Sequence, residues 1–156
     1  MLNINIPGAH SLRLSHLILD YNGTLACDGS ILPGVAERLK ILAKHLEIHI
    51  VTADTFGSVR AQVAHLPVQL AVIPPEQQAQ AKAAYMEKLG PANAVAIGNG
   101  RNDALMLQQA ALGIAVMQAE GAATAALRAA EVVTPGIIEA LDLLLSPDRL
   151  KATLRL

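Results

Sequence analysis

The sequence predicts an α/β fold, in which a three-layer, doubly wound and mainly parallel sheet of the Rossmann-like type carries helices on both faces. From about residue 16 onward, short apolar segments typical of buried strands alternate with segments whose apolar residues have helical spacing. The connections between these segments are short, so we expect no inserted second domain.

Length and composition indicate one domain over residues 1–156, with a hairpin at 1–15, a core at 16–146 and a tail at 147–156. Hydrophobic residues make up 53% of the chain and aromatic residues 2%, so the core has to be aliphatic. The net charge of -1 and the lack of a basic cluster argue against nucleic acid as a partner. Without a signal peptide or an apolar run of membrane length, and with a single cysteine, we expect a cytoplasmic protein outside the membrane.

The expected elements follow from apolar periodicity and from Gly and Pro breakers. Leu2, Ile4 and Ile6 alternate with polar residues and indicate an edge strand, which pairs back through Leu12 and Leu14. Next comes a central strand at about 16–21 and a loop or short flap at 22–33. The remaining strands are expected at 47–52, 68–73, 94–97, 112–116 and 132–133. The remaining helices are expected from Val35 to about Leu46, through about residue 65 after a cap at Asp54 or Thr55, and at 76–89, 103–110, about 120–130 and 136–145.

Polar side chains follow several of these strands, and the carboxyl ends of parallel strands meet at one edge of a sheet. The residues in question are Asp20, Asn22, Thr52, Lys82, Asn99 and Asp103. A carboxylate, a hydroxyl, an ammonium group and an amide–acid pair suit a phosphate group together with Mg²⁺. Taken alone, Asp20 is better explained as a residue that starts a turn or caps a helix. Lys88 is a weaker competitor for the role of Lys82. The five histidines have no ligand spacing, so we do not expect them to bind a metal.

Four segments resemble the motifs of the haloacid dehalogenase-like superfamily, in the right order. Residues 20–25 (Asp-Tyr-Asn-Gly-Thr-Leu) resemble its first motif, Asp-x-Asp-Gly-Thr, and Thr52 matches the Ser/Thr of the second. Lys82 is a plausible third motif, and residues 98–103 (Gly-Asn-Gly-Arg-Asn-Asp) resemble the fourth, Gly-Asp-Gly-x-Asn-Asp. The chain is most similar to the capless, soluble proteins that are related to the phosphorylation domain of P-type ATPases.

This resemblance implies a Mg²⁺-dependent phosphohydrolase or phosphotransferase that acts on a phosphorylated small molecule. Asp20 would be the nucleophile, which forms an aspartyl-phosphate. The implied metal ligands are Asp20, Asn22 (through its backbone carbonyl), Asn99 and Asp103. The implied phosphate-binding residues are Gly23, Thr52, Ala53 and Lys82.

Two positions depart from the family pattern. Asn22 stands where the phosphatases carry an acid/base Asp, and Asn99 stands where they carry a metal-ligating Asp. An amide cannot transfer a proton, so we expect slow catalysis. The alternative is a weakly active or inactive protein of this fold that binds a phosphorylated ligand or a protein partner. A receiver domain fits poorly, because its phospho-acceptor lies on a later strand. The apolar residues of the N-terminal strand and the tail leave association between copies of the chain open.

Overall fold

A computed structural model of the chain describes residues 1–54 and 57–156, which form ten strands, seven helices and two 3₁₀ turns. The strands are β1 (Leu2–Asn5), β2 (Ser11–Leu14), β3 (His16–Leu19), β4 (Ala26–Cys27), β5 (Ser30–Ile31), β6 (Glu47–Thr52), β7 (Gln69–Val72), β8 (Ala94–Gly98), β9 (Leu112–Val116) and β10 (Val132–Thr134). The helices are α1 (Val35–Leu42), α2 (Val59–Val63), α3 (Gln78–Leu89), α4 (Ala104–Gln109), α5 (Thr124–Ala129), α6 (Ile137–Leu145) and α7 (Pro147–Leu154). The 3₁₀ turns span Pro91–Asn93 and Arg101–Asp103.

Six strands form one fully parallel sheet in the order β10-β9-β8-β3-β6-β7. In the register of this sheet, Leu19 of β3 lies between Ile50 of β6 and Ile97 of β8. The chain builds outward from β3 to β7 and then returns to β8 on the other side of β3. This reversal opens a crevice at the carboxyl ends of β3 and β8, which is where ligands bind in sheets of this type.

Helices cover both faces of the sheet, because its strands are apolar on both sides. On β3, Leu17 and Leu19 belong to one apolar layer, while Ile18 belongs to the other. The first layer includes residues of α1, α2, α6 and α7, and the second includes residues of α3, α4 and α5. The three-layer fold and the absence of a cap domain are therefore confirmed for the part of the chain that the structure describes.

The N-terminal strands pair with each other, as the alternation of apolar residues predicted. β1 pairs with β2 in antiparallel register, and the two strands form a two-stranded sheet that is separate from the main sheet. The short flap after the central strand is confirmed, and it contains a second hairpin of β4 and β5.

Several elements are shorter than periodicity indicated. α1 ends at Leu42 although Leu46 continues its apolar spacing, because residues 43–45 leave the helix in a turn before β6. α2 covers only Val59–Val63, and its N-cap residue is Ser58, so the expected cap at Asp54 is wrong. Asp54 still contacts the helix start, because the backbone N–H of Val59 donates to Asp54 Oδ1 at 3.2 Å. Thr55, the other expected cap, lies outside the described residues.

The apolar residues expected to offer edges to a second subunit are largely internal. Ile4, Ile6 and Leu150 are buried in the same apolar layer, because α7 packs against the N-terminal hairpin. The prediction of an open apolar surface at these three residues is therefore wrong, although Leu156 is exposed. No described helix is both long enough and apolar enough to cross a membrane.

Candidate active site

The carboxyl ends of three neighbouring strands bring the predicted polar residues together. Asp20 follows β3 directly, Thr52 is the last residue of β6, and Asn99 follows β8. All three line a cavity of about 190 Å³. The other residues described as lining it are Asn22, Ala53, Gln78, Gly100 and Asn102. The convergence expected from the parallel sheet is thus present in the fold.

Lys82 connects the second apolar layer to this edge of the sheet. It lies on α3, is 1% exposed, and its Nζ donates to Asp20 Oδ1 at 2.5 Å and to Asp103 Oδ1 at 2.6 Å. Lys88, on the same helix, is exposed. Of the two lysines weighed from the sequence, Lys82 is therefore the one that contacts the aspartates.

Asp103 is fully buried and holds the loop after β8 in place. Its Oδ2 accepts hydrogen bonds from the backbone N–H groups of Asn99 (3.0 Å) and Gly100 (2.8 Å), while its Oδ1 faces Lys82. Gly98 permits this approach, since a Cβ at that position would lie 2.5 Å from Asp103 Cγ. Both oxygens of Asp103 thus have donors, and the structure places it as a group that positions Lys82. Its role as a metal ligand stays a prediction.

The amide of Asn99 has a defined orientation. Its Nδ2 donates to the carbonyl oxygen of Gly121 at 3.0 Å, so its Oδ1 is left as an acceptor beside Thr24 Oγ1, 3.2 Å away. The Thr24 hydroxyl also lies 3.0 Å from Asp20 Oδ2, and its single hydrogen can be donated to only one of these two oxygens at a time. Gly23 has a φ of 79°, and a Cβ there would collide with the Asn99 amide. Only glycine fits this turn without displacing Asn99.

Asn22 and Thr52 face the same cavity with different hydrogen-bonding capacity. Asn22 Oδ1 is buried and has no hydrogen-bond partner among the described residues. Thr52 is 3% exposed, and its Oγ1 accepts a hydrogen bond from the backbone N–H of Asp54 at 3.2 Å. A buried acceptor without a donor is costly, so Asn22 Oδ1 marks a place where a ligand or cation would be stabilised.

Burial and neighbouring charges shift the pKa values of Asp20 and Lys82. Burial, reinforced by the neighbouring carboxylate of Asp103, raises the pKa of Asp20 from 3.8 to about 6, although Lys82 and Thr24 oppose the shift. Burial alone would lower the pKa of Lys82, but the attraction of Asp20 and Asp103 outweighs it and raises that pKa. With both aspartates ionised, the group carries a net charge of about -1 in a place poorly screened by water.

The residues present fit a hard divalent cation such as Mg²⁺. The carboxylate of Asp20 and the amide oxygen of Asn99 supply oxygen donors around one cavity, which is the ligand chemistry that Mg²⁺ takes. Asn22 also lines the cavity and offers two oxygens, the backbone carbonyl that the resemblance implies and its side-chain Oδ1. The unpaired Oδ1 of Asn22 and the net negative charge of the site also favour a bound cation. Because two of these residues are amides, the site has less negative charge than one built from carboxylates.

Three glutamine and asparagine side chains belong to the site although the sequence analysis did not name them as site residues; of these, Asn102 lies within the fourth motif segment. Gln118 Nε2 donates to the carbonyl oxygens of Gly23 (3.0 Å) and Thr24 (2.6 Å) and thereby holds the first motif loop. Asn102 Nδ2 donates to Gln78 Oε1 at 2.7 Å beside the cavity. Gln118 follows β9 as Asn99 follows β8, so its position after a strand could have indicated a site residue. Nothing in the sequence around Gln78 indicated one.

Comparison with known proteins agrees with this geometry. The family model described as haloacid dehalogenase-like hydrolase matches residues 78–135, a segment that contains Lys82, Asn99 and Asp103. This segment of the chain is similar to the haloacid dehalogenase-like hydrolases. Two uncharacterized proteins of Methanocaldococcus jannaschii are also similar to it. One is 51% identical over 61 residues (39% of this chain and 66% of the relative), and the other is 56% identical over 39 residues (25% of this chain and 89% of the relative).

Solved structures of the haloacid dehalogenase-like fold are similar over most of the chain. The cobalt-bound deoxy-D-mannose-octulosonate 8-phosphate phosphatase of Haemophilus influenzae has a TM-score of 0.73 at 16% identity, with 91% of this chain and 93% of that one covered. The corresponding phosphatase of Moraxella catarrhalis, in complex with magnesium, phosphate and the sugar acid, has a TM-score of 0.67 at 18% identity, with 91% and 94% covered. A zinc-transporting PIB-type ATPase in the E2.Pi state has a TM-score of 0.59 at 23% identity, with 79% of this chain and 20% of that one covered. At these identities the likeness shows the fold alone.

Proposed function

We propose that the protein is a Mg²⁺-dependent phosphohydrolase or phosphotransferase in which Asp20 is the nucleophile and forms an aspartyl-phosphate. The observation that carries this proposal is the placement of Asp20, a buried carboxylate that faces both Lys82 and a cavity lined by Thr52 and three asparagines. A phosphorylated small molecule is the substrate class that this donor set favours, since an ammonium and a hydroxyl both donate to phosphate oxygens.

In the first step, a carboxylate oxygen of Asp20 attacks the phosphorus atom, the bond to the leaving oxygen breaks, and an acyl phosphate forms. Lys82 and Thr52 would stabilise the charge on the transferred phosphoryl group. Without a bound cation, the raised pKa of Asp20 makes its ionised form dominant only above about pH 6, and a cation beside Asp20 would favour the ionised, reactive form. Bound Mg²⁺, held by Asp20, Asn22 and Asn99 with Asp103 nearby, would supply further neutralisation of phosphate charge.

The second step lacks an evident base. Water must attack the acyl phosphate of Asp20, and the proton of that water normally goes to a side chain that acts as a general base. Such acid/base catalysis typically accelerates a reaction by about 10²–10⁴-fold. Among the residues described as lining the cavity, Asp20 alone has an ionisable side chain, and in this step it carries the phosphoryl group. We therefore infer that hydrolysis of the intermediate is slow and that the intermediate accumulates.

The similar structures support a phosphorylated substrate, because they include phosphatases and a transporter in a phosphate-bound state. The zinc-transporting ATPase in particular supports a relationship to the phosphorylation domains of P-type ATPases. The alternative function is a protein of this fold that binds a phosphorylated ligand or a protein partner with little turnover. The amide at residue 22 favours it, since Asn22 cannot exchange a proton with a substrate.

Replacing Asn22 with Asp tests the proposed function. With p-nitrophenyl phosphate and Mg²⁺, we expect Asn22→Asp to raise steady-state turnover by at least about tenfold, a small share of the usual acid/base contribution. Asn102→Asp is the matched control, because it places a carboxylate elsewhere on the cavity wall and should give no such gain.

Asp20→Ala should abolish turnover in every background. If Asn22→Asp leaves turnover unchanged while Asp20→Ala abolishes it, another group is the base and the assignment of residue 22 is wrong. If wild type is inert toward a panel of phosphoesters and neither change matters, the binding function replaces the enzymatic one.

A further inference from the structure

A second cluster of polar side chains lies at the other end of the strands that carry Asp20 and Thr52. His16 is the first residue of β3 and Glu47 is the first residue of β6, and the two are paired in the sheet register. His49, two residues further along β6, points to the same face as Glu47. His16 Nδ1 lies 3.3 Å from His49 Nε2 and 3.6 Å from Glu47 Oε2, and His49 Nε2 lies 4.0 Å from the same Glu47 oxygen.

These three separations match the spacing of ligands around a tetrahedral metal ion. Zinc–nitrogen and zinc–oxygen bonds of about 2.0–2.2 Å at tetrahedral angles put ligand atoms about 3.4 Å apart. The atoms of this cluster lie 3.3–4.0 Å apart. An ion could therefore be bound by small side-chain rotations, without movement of the strands.

A neighbouring residue orients the buried histidine for this role. His49 is 1% exposed, and its Nδ1 lies 3.0 Å from Tyr85 Oη on α3. When Nδ1–H donates to Tyr85, the lone pair of His49 Nε2 is directed at His16 and Glu47. Metal-ligating histidines almost always have such a hydrogen bond at the other ring nitrogen.

We propose that His16, Glu47 and His49 form a binding site for a divalent transition metal ion of the zinc class. Two imidazoles and one carboxylate favour such an ion over Mg²⁺, which prefers oxygen ligands. The side chain of Glu47 is 65% exposed, so the site is open to ions from solution and leaves a fourth position for water. The bound ion would link β3 and β6 and, through Tyr85, would fix α3, the helix that carries Lys82.

This site is independent of the phosphoryl-transfer proposal, since it lies at the opposite end of the sheet and uses none of the residues around Asp20. Sequence spacing could not indicate it, because His16 and His49 are 33 residues apart and only the parallel register brings them together. The expectation that the histidines bind no metal rested on that spacing.

Competition between the protein and a chromophoric chelator for Zn²⁺ tests the proposal. We expect wild type to bind one ion at this site, and Asp20→Asn to retain it. His16→Gln and Glu47→Gln should each weaken binding at least about tenfold, and Tyr85→Phe should weaken it by about 10–100-fold, as removal of an outer-shell partner does. His10→Gln is the matched control, since His10 is exposed and outside the cluster, and it should bind as wild type does.

Circular dichroism and thermal unfolding complete the test. Zn²⁺ should raise the unfolding temperature of wild type more than that of Glu47→Gln, whose exposed side chain can be changed without loss of folding. The proposal is overturned if folded wild type does not compete with the chelator. It is overturned equally if His10→Gln loses as much affinity as His16→Gln, or if Asp20→Asn loses the ion while Glu47→Gln keeps it. Retention of full affinity in both His16→Gln and Glu47→Gln would show that the cluster is a hydrogen-bonded pair of histidines and no metal site.

Discussion

Replacing Asp20 with Asn should make the protein more stable at neutral pH. Burial and Asp103 raise the pKa of Asp20 from 3.8 to about 6, so the folded state disfavours the ionised carboxylate. One pKa unit corresponds to about 1.4 kcal/mol, so ionisation of Asp20 costs the folded protein up to about 3 kcal/mol above pH 6. An amide removes this charge, its oxygen still accepts from Lys82, and Thr24 can donate to Asn99. We expect a gain of about 1–3 kcal/mol at pH 7.5.

The gain should depend on pH in a defined window. A carboxyl group with a raised pKa contributes stability that is fully present below its ordinary value and is lost as pH rises through its folded value. The two proteins should therefore differ little at pH 4, diverge between about pH 4 and 6, and differ by a constant amount above that. Urea unfolding in the presence of a metal chelator measures this difference. Asp148→Asn, a change at an exposed aspartate of α7, should stay within about 0.5 kcal/mol of wild type.

The argument about buried charge would be wrong if Asp20→Asn were less stable than wild type at pH 7.5. It would also be wrong if the difference were the same at pH 4 and pH 7.5, because a loss of hydrogen bonding alone would not titrate. A stability gain together with loss of turnover is the pattern expected of a residue kept for chemistry at a cost to the fold.

Two further substitutions probe the same edge of the sheet. Lys82→Met should destabilise the protein by about 3–5 kcal/mol at pH 7.5, because it leaves Asp20 and Asp103 buried without their cation, and by less at pH 5, where Asp20 takes up a proton. Lys88→Met, an exposed change on the same helix, should alter stability by less than about 0.5 kcal/mol in the same urea titration. Equal effects of the two substitutions would refute the role given to Lys82. Asn99→Asp should tighten Mg²⁺ binding, because it restores a negative charge at an oxygen donor of the cavity; calorimetry that shows equal or looser binding would count against residue 99 as a ligand.

The fold was predictable because its main signal is local. Each strand of the parallel sheet is a short apolar run, and each ends at a polar or glycine-containing loop, so the order of elements and the edge at which Asp20, Thr52 and Asn99 meet follow from the chain itself. The position of Lys82 could not be predicted from local pattern alone, since it depends on how α3 packs against the sheet. Its assignment came from a motif resemblance, and the structure supplies the reason: a lysine of that helix is buried against two aspartates.

Contacts between segments that are distant in the chain could not be predicted from the sequence. The N-terminal hairpin alternates as an edge strand would, but it packs with α7 and forms its own sheet, which no local pattern records. Gln118 holds the first motif loop through two carbonyl oxygens, and the chain separates it from that loop by more than 90 residues. The histidine cluster has the same origin, because it depends on the register between β3 and β6.

Trapping of the phosphorylated protein tests the nucleophile most directly. The protein is incubated with acetyl phosphate and Mg²⁺, reduced with borohydride, and digested for mass spectrometry. We expect a reduced side chain at Asp20 in wild type, none in Asp20→Asn, and a smaller steady-state fraction in Asn22→Asp, in which hydrolysis of the intermediate should be faster. An adduct at another residue, or equal labelling of wild type and Asp20→Asn, would contradict Asp20 as the nucleophile.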